Sequence, residues 1–175
     1  TGGSHWDTRL FQTDFMTGST SLFEMHYSEV TLALFQDSGW YQVDWTAATN
    51  VRWGKNEGCG FFNSTCLVPG NPPTSNHREF CTTSGGACTF DRTAGGYCDQ
   101  TTWGGSLPAQ FRYFTDSNAK GGSSELMDYC PYVKPYSNRF CNDASNQPSG
   151  TNYGGVAYGV SGSLCFAGNL LLNGF

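Results

Sequence analysis

The sequence predicts an α+β fold in two parts, residues 1–58 and residues 59–175, and three observations carry that prediction. All eight cysteines lie after position 58. The strongest helix signal lies before it, between Ser28 and Gly39. After it come turn dipeptides at Gly85-Gly86, Gly95-Gly96, Gly104-Gly105, Gly121-Gly122 and Gly154-Gly155, which leave room only for short strands and irregular chain.

Taken in order, the first element is the helix from about Glu29 to Ser38. Ser28 suits the N-cap, Glu29 the positive end of the helix dipole, and Gly39 the left-handed position after the last turn. Val30, Ala33, Leu34 and Asp37 share one face, and Leu32 and Phe35 widen the apolar surface, so the helix is expected to be well buried. Ser21 and Glu24 have capping-box spacing, which allows an earlier helix start. Tyr41, Val43 and Trp45 alternate with Gln42 and Asp44, the period of a strand. In the cysteine-rich part, Phe111 to Phe114 and Val156 to Val160 read as short strands. Ser124 to Tyr129 reads as one helical turn stopped by Pro131.

Cys59, Cys66, Cys81, Cys88, Cys98, Cys130, Cys141 and Cys165 form an even set with no Cys-x-x-Cys pair. That spacing argues against a zinc ribbon or a thioredoxin-like site and for disulfides in an oxidising compartment. Four bridges at roughly 2–4 kcal/mol each would supply much of the stability of such a loop-rich segment. Their connectivity cannot be read from the sequence. Asn63-Ser64-Thr65 is an N-glycosylation sequon, which suits an extracellular loop.

Charged residues are 13% of the chain and the net charge is -5, with no basic run. Binding to nucleic acid or to an anionic membrane, where positive charge is the main attraction, is therefore not expected. The first four residues include no initiator methionine, and Leu170 to Phe175 is too short to span a bilayer. Both ends read as cuts inside a longer protein.

The residues with the most chemical potential sit in Gly3 to Gly18, GSHWDTRLFQTDFMTG. A neutral imidazole such as that of His5 is the commonest zinc ligand. The thioether of Met16, on a turn closed by Gly18, can form a soft apolar floor under a metal site. One histidine cannot hold a catalytic zinc, which needs three protein ligands and an open position. No His-Glu-x-x-His motif occurs in the chain. Asp7 and Arg9 could pair or orient the site, with a surface pair as the default expectation, and His26 and His77 are expected to be solvated.

Gly3 to Gly18 and Ser28 to Tyr41 together resemble the leishmanolysin family of metzincin zinc peptidases. So do Trp53 to Cys59, Leu126 to Pro131, Pro135 to Ser137 and Ser163 to Phe166. The resemblance implies that residues 1–58 are the C-terminal lobe of a metzincin catalytic domain, with a Met-turn and a buried helix. Residues 59–175 would then be a disulfide-rich, mostly β and irregular domain. It makes His5 the third zinc ligand, followed eleven positions later by Met16 of the Met-turn. Asp7 stands where many members have glutamate. The expected activity is that of a zinc endopeptidase acting on protein or peptide substrates at the cell surface or outside the cell. The first two ligands and the glutamate base would lie in the upstream half of the same protein, and no catalytic residue falls within these residues. Two further readings are an inactive, structural or adhesive relative, with surface or filament partners unspecified, and a free-standing binding module. Residues 1–58 offer too little structure to bury their own aromatic side chains, so the isolated chain is expected to be unstable.

Overall fold

A computed structural model describes residues 3–146 and 158–166 of the chain. It is a mixed α and β structure in which short elements are held together by turns and disulfides. Helix α1, Thr8–Phe11, is capped by the Asp7 carboxylate, which accepts from the backbone N–H of Arg9. Helix α2, Glu29–Asp37, begins where the capping pattern places it, with the Ser28 hydroxyl accepting from Thr31 N–H. Gly39 follows at φ 70°, a left-handed conformation that glycine adopts without a Cβ penalty.

Two expectations for this region fail. Helix α2 is not buried: Thr31 alone of its residues is, while Val30 and Leu34 are 47% and 46% exposed. Its apolar stripe is only partly covered: Leu34 borders a cavity with His5 and Met16, and Val30 one with Leu10 and Phe11. The strand at Tyr41–Trp45 does not form either, because alternation alone cannot supply the neighbouring strand it needs. Asp44 instead caps a 3₁₀ turn at Trp45–Ala47. The segment folds back on α2, where Trp45 Nε1 donates to Gln36 Oε1 at 2.9 Å and Tyr41 meets Phe35 edge-on. Ser21 starts no helix; its hydroxyl accepts from Phe23 N–H in a local turn.

The cysteine-rich part contains helix α3, Gly60–Asn63, and five strands: β1 Gly86–Cys88, β2 Ala94–Cys98, β3 Thr101–Thr102, β4 Lys120–Gly121 and β5 Val133–Phe140. Strands β1, β2 and β5 form an antiparallel sheet in that order, with a register shift in β2 between Ala94 and Gly96. Gly96 is required there, since a Cβ would run into the Lys134 carbonyl on β5. Strands β3 and β4 make a second, two-stranded pair.

The strand expected at Phe111–Phe114 is a 3₁₀ turn, Ala109–Phe111, followed by a single bridge between Phe114 and Gly70. The expected strand at Val156–Val160 lies partly outside the described residues, and 158–160 form a bend. The helical turn after Ser124 is present as the 3₁₀ turn Glu125–Met127. It ends on Asp128 and Tyr129 in left-handed conformation, before Pro131.

Three disulfides join Cys66 to Cys130, Cys81 to Cys98 and Cys88 to Cys165. The fourth expected bridge is absent, and Cys59 and Cys141 are thiols. They belong to different places: Cys59 is exposed just before α3, whereas Cys141 is buried just after β5, bonded through its backbone to Thr93 and Gly159. The Cys66–Cys130 bridge sits in the main apolar cluster with Trp53, Phe61, Leu67, Phe80, Tyr113, Phe114 and Met127. Trp53 meets Phe80 and Phe90 edge-on, and Phe61 stacks on Phe80. This core draws on residues from both sides of position 58.

Candidate functional site

His5 and Met16 come together. Trp6 N–H donates to the Met16 carbonyl at 2.8 Å, and Trp6 and Thr17 form a parallel bridge, so the two stretches run side by side. His5, Trp6, Met16 and Leu34 of α2 line one cavity of about 200 Å³, together with Gly3 and Ser4. His5 is exposed and Met16 half-buried. A methyl group at Gly18 would lie 3.8 Å from both Cβ and Cγ of His5 and 3.8 Å from Leu126 Cδ1. These are ordinary van der Waals distances, and they place the His5 side chain and Leu126 on either side of the turn at Gly18.

The support beneath this site is polar, and its centre is Asp14, which is wholly buried. One carboxylate oxygen accepts from Met16 N–H at 2.7 Å and the other from Ser28 N–H at 3.2 Å. The Thr31 hydroxyl lies within 2.9 Å of both oxygens. The Trp6 indole N–H in turn donates to Thr31 Oγ1 at 2.7 Å. Sequence reading missed this hub. The available signal was an Asp two residues before a turn residue, the arrangement in which a carboxylate caps its own turn.

A second anchor comes from Arg9. Its Nε donates to Asp128 Oδ2 at 3.1 Å, its Nη1 donates to the Phe61 carbonyl at 3.1 Å, and its own carbonyl accepts from Trp53 Nε1 at 2.8 Å. The expected surface pairing of Asp7 with Arg9 is thus replaced by a helix cap and a largely buried cross-link to the cysteine-rich part. Burial of Asp128 raises its carboxyl above the ordinary aspartate value, with Asp7 adding to the rise and Arg9 opposing it.

His77 is also not solvated. Its Nδ1 lies 2.9 Å from Glu57 Oε2 and its ring stands edge-on to Phe61. Beside it, Glu79 is fully buried: one oxygen accepts from Gly54 N–H and from Arg78 Nε, and the other is unpartnered among the described residues. Burial raises the Glu79 carboxyl, and Glu57 adds to the rise. His26 is half-buried next to Asp14, its backbone N–H donating to Thr13. Asn63, the sequon asparagine, is exposed at the end of α3.

Among the described residues no group of three or more His, Cys, Asp or Glu side chains could hold a metal ion. An exposed imidazole that shares a cavity with a half-buried thioether nevertheless fits a contribution of one ligand to a larger donor set.

The leishmanolysin family model matches residues 1–173. The chain belongs to the leishmanolysin family. Leishmanolysin of Leishmania amazonensis is 38% identical over 124 residues, covering 70% of this chain and 20% of that protein. Leishmanolysin of Leishmania major is 36% identical over 147 residues, with 83% and 23% covered. A leishmanolysin-like peptidase of Drosophila pseudoobscura pseudoobscura is 30% identical over 189 residues, with 93% and 27% covered. This is a metallopeptidase-family protein, and the chain spans about a fifth to a quarter of the length of these relatives. Among its described residues no helix is long and apolar enough to cross a membrane.

Proposed function

We propose that this chain is the C-terminal part of a zinc metalloendopeptidase, to which it contributes His5 as one zinc ligand and Met16 as the turn methionine beneath. The supporting observation is that residues eleven positions apart, in a leishmanolysin-family chain, line one cavity and are braced by a shared polar network. Bound zinc supplies a Lewis acid and lowers the pKa of a coordinated water toward neutrality. The chain's own part is to present the His5 imidazole at a fixed place, to exclude water below it with Met16 and Leu34, and to dock the remainder of the catalytic domain.

The docking role rests on exposed apolar surface. Of the fifteen exposed large apolar side chains among the described residues, eight precede residue 58: Phe15, Leu22, Tyr27, Val30, Leu34, Trp40, Tyr41 and Trp45, between 46% and 85% exposed. Val30 and Leu34 lie on α2, and Tyr41 and Trp45 fold back on that helix, an exposed apolar surface of the kind that marks an interaction site. Its proposed partner is the upstream half of the same protein, which would carry the other two histidines and the glutamate base. Protein or peptide substrates follow from that reading. Three disulfides and an accessible sequon support an extracellular or cell-surface setting with glycosylation at Asn63.

The test is zinc content and peptidase activity of the full-length protein, with and without His5→Ala. Stoichiometric zinc and activity in the parent, both lost in the variant, are the expected outcome. A folded parent free of zinc and without activity would point to a non-catalytic surface scaffold. Zinc and activity retained by His5→Ala would overturn the ligand assignment.

A further inference from the structure

We propose that Asp14 is the positioning residue of the His5–Met16 site, setting where the His5 imidazole stands by tying three separate segments to one buried carboxylate. The proposal rests on the zinc reading above. The first segment is the turn bearing Met16, whose N–H the carboxylate accepts at 2.7 Å. The second is the start of α2, held through Ser28 N–H and the Thr31 hydroxyl, and this helix carries Leu34 to the cavity wall. The third is Trp6, next to His5, whose indole N–H reaches the carboxylate through Thr31 Oγ1. The Asp14 carbonyl adds two more ties, accepting from the backbone N–H and the hydroxyl of Thr17.

The chemistry asks for aspartate in particular. Its two oxygens face donors on every side: two backbone N–H groups and one hydroxyl. Asparagine is isosteric but would turn an NH₂ group toward one of those donors, leaving it buried and unpaired. Thr31 is a relay because its hydroxyl donates to the carboxylate while accepting from the indole. Valine at that position keeps the shape and breaks both bonds. Groups that orient a ligand typically change metal affinity by about 10–100-fold when removed.

The experiment measures Zn²⁺ affinity of the full-length protein by competition with a chromogenic chelator, for the parent and for Asp14→Asn, Thr31→Val, Thr31→Ser and His5→Ala. Partners bonded directly to a ligand change metal affinity by about 10–100-fold, and since Asp14 and Thr31 act through Trp6 and the Met16 turn, Asp14→Asn and Thr31→Val are expected to weaken Zn²⁺ binding by about 10-fold, the low end of that range. Thr31→Ser, which keeps the hydroxyl, is expected to restore it. Far-ultraviolet circular dichroism monitors folding. If Asp14→Asn does not fold, the valine and serine pair at Thr31 decides the matter. Parent-like Zn²⁺ affinity in Thr31→Val, or equal losses in the valine and serine variants, overturns the proposal. If His5→Ala loses affinity while Asp14→Asn and Thr31→Val keep it, the positioning role fails and the zinc reading stands. If His5→Ala also keeps its affinity, the zinc reading itself fails.

Discussion

Replacing Arg9 with alanine would cut the strut between the His5 segment and the cysteine-rich part. The side chain is 11% exposed and its partner Asp128 30% exposed, so the pair is mostly but not fully removed from water. Breaking a fully buried ion pair by deleting one partner costs about 3–5 kcal/mol, and solvent access at Asp128 lowers this to about 2–3 kcal/mol. The loss has two sources. Asp128 keeps a carboxylate already disfavoured by burial and by Asp7, and the Phe61 carbonyl loses its donor. Arg9→Lys keeps the charge without the planar fork and is expected to cost about 1 kcal/mol. Native-state hydrogen exchange at Leu10, Phe11 and Asn63 reads the local opening free energy in the full-length protein. Combining Arg9→Ala with Asp128→Asn, which tolerates the left-handed conformation at φ 52°, isolates the pair term. A coupling below about 0.5 kcal/mol would show that the strut is incidental and that apolar packing and the other polar links across position 58, such as His77 with Glu57, join the two parts.

Two other perturbations have clear signs. Because burial raises the folded-state pKa of Glu79, the folded protein holds that proton more tightly than the unfolded chain does. Ionised Glu79 therefore costs stability at neutral pH, and the cost fades as the pH falls through the raised value toward 4.5, the ordinary one. Glu79→Gln should be the more stable form at neutral pH by urea denaturation, with the gap closing on acidification; a gap independent of pH would refute this. The two thiols should also differ. Iodoacetamide is expected to label exposed Cys59 in the native state and Cys141 only after unfolding, since burial, and then Asp91, raises the latter's thiol. Peptide mass spectrometry distinguishes the two sites, and equal labelling would contradict the burial of Cys141.

What could be read from the chain followed from local chemistry. Ser28 and Gly39 bracket α2 because caps act within a few residues, and the turn after Ser124 is equally local. The strand at Tyr41–Trp45 was misread for the same reason: alternation is a local pattern, but a strand exists only if another takes its hydrogen bonds. The burial of α2 was misread because an apolar face reports that something covers it without saying what. The surroundings of His77 are not legible in the sequence, because nothing near it announces Glu57, twenty positions earlier, or Phe61.

By itself the sequence determined the family, the disulfide-rich character of the second part, the helix and its caps, and the candidacy of His5 and Met16. Each of these is a matter of residue type and short spacing. Only the tertiary structure decided which cysteines pair, that Arg9 reaches Asp128 across 119 positions, and that one buried carboxylate at Asp14 gathers Met16, Ser28, Thr31 and, at one remove, Trp6. Such contacts depend on how distant segments come to share space. A carboxylate's partners are set by whichever donors the fold brings to it, and no spacing rule along the chain encodes them.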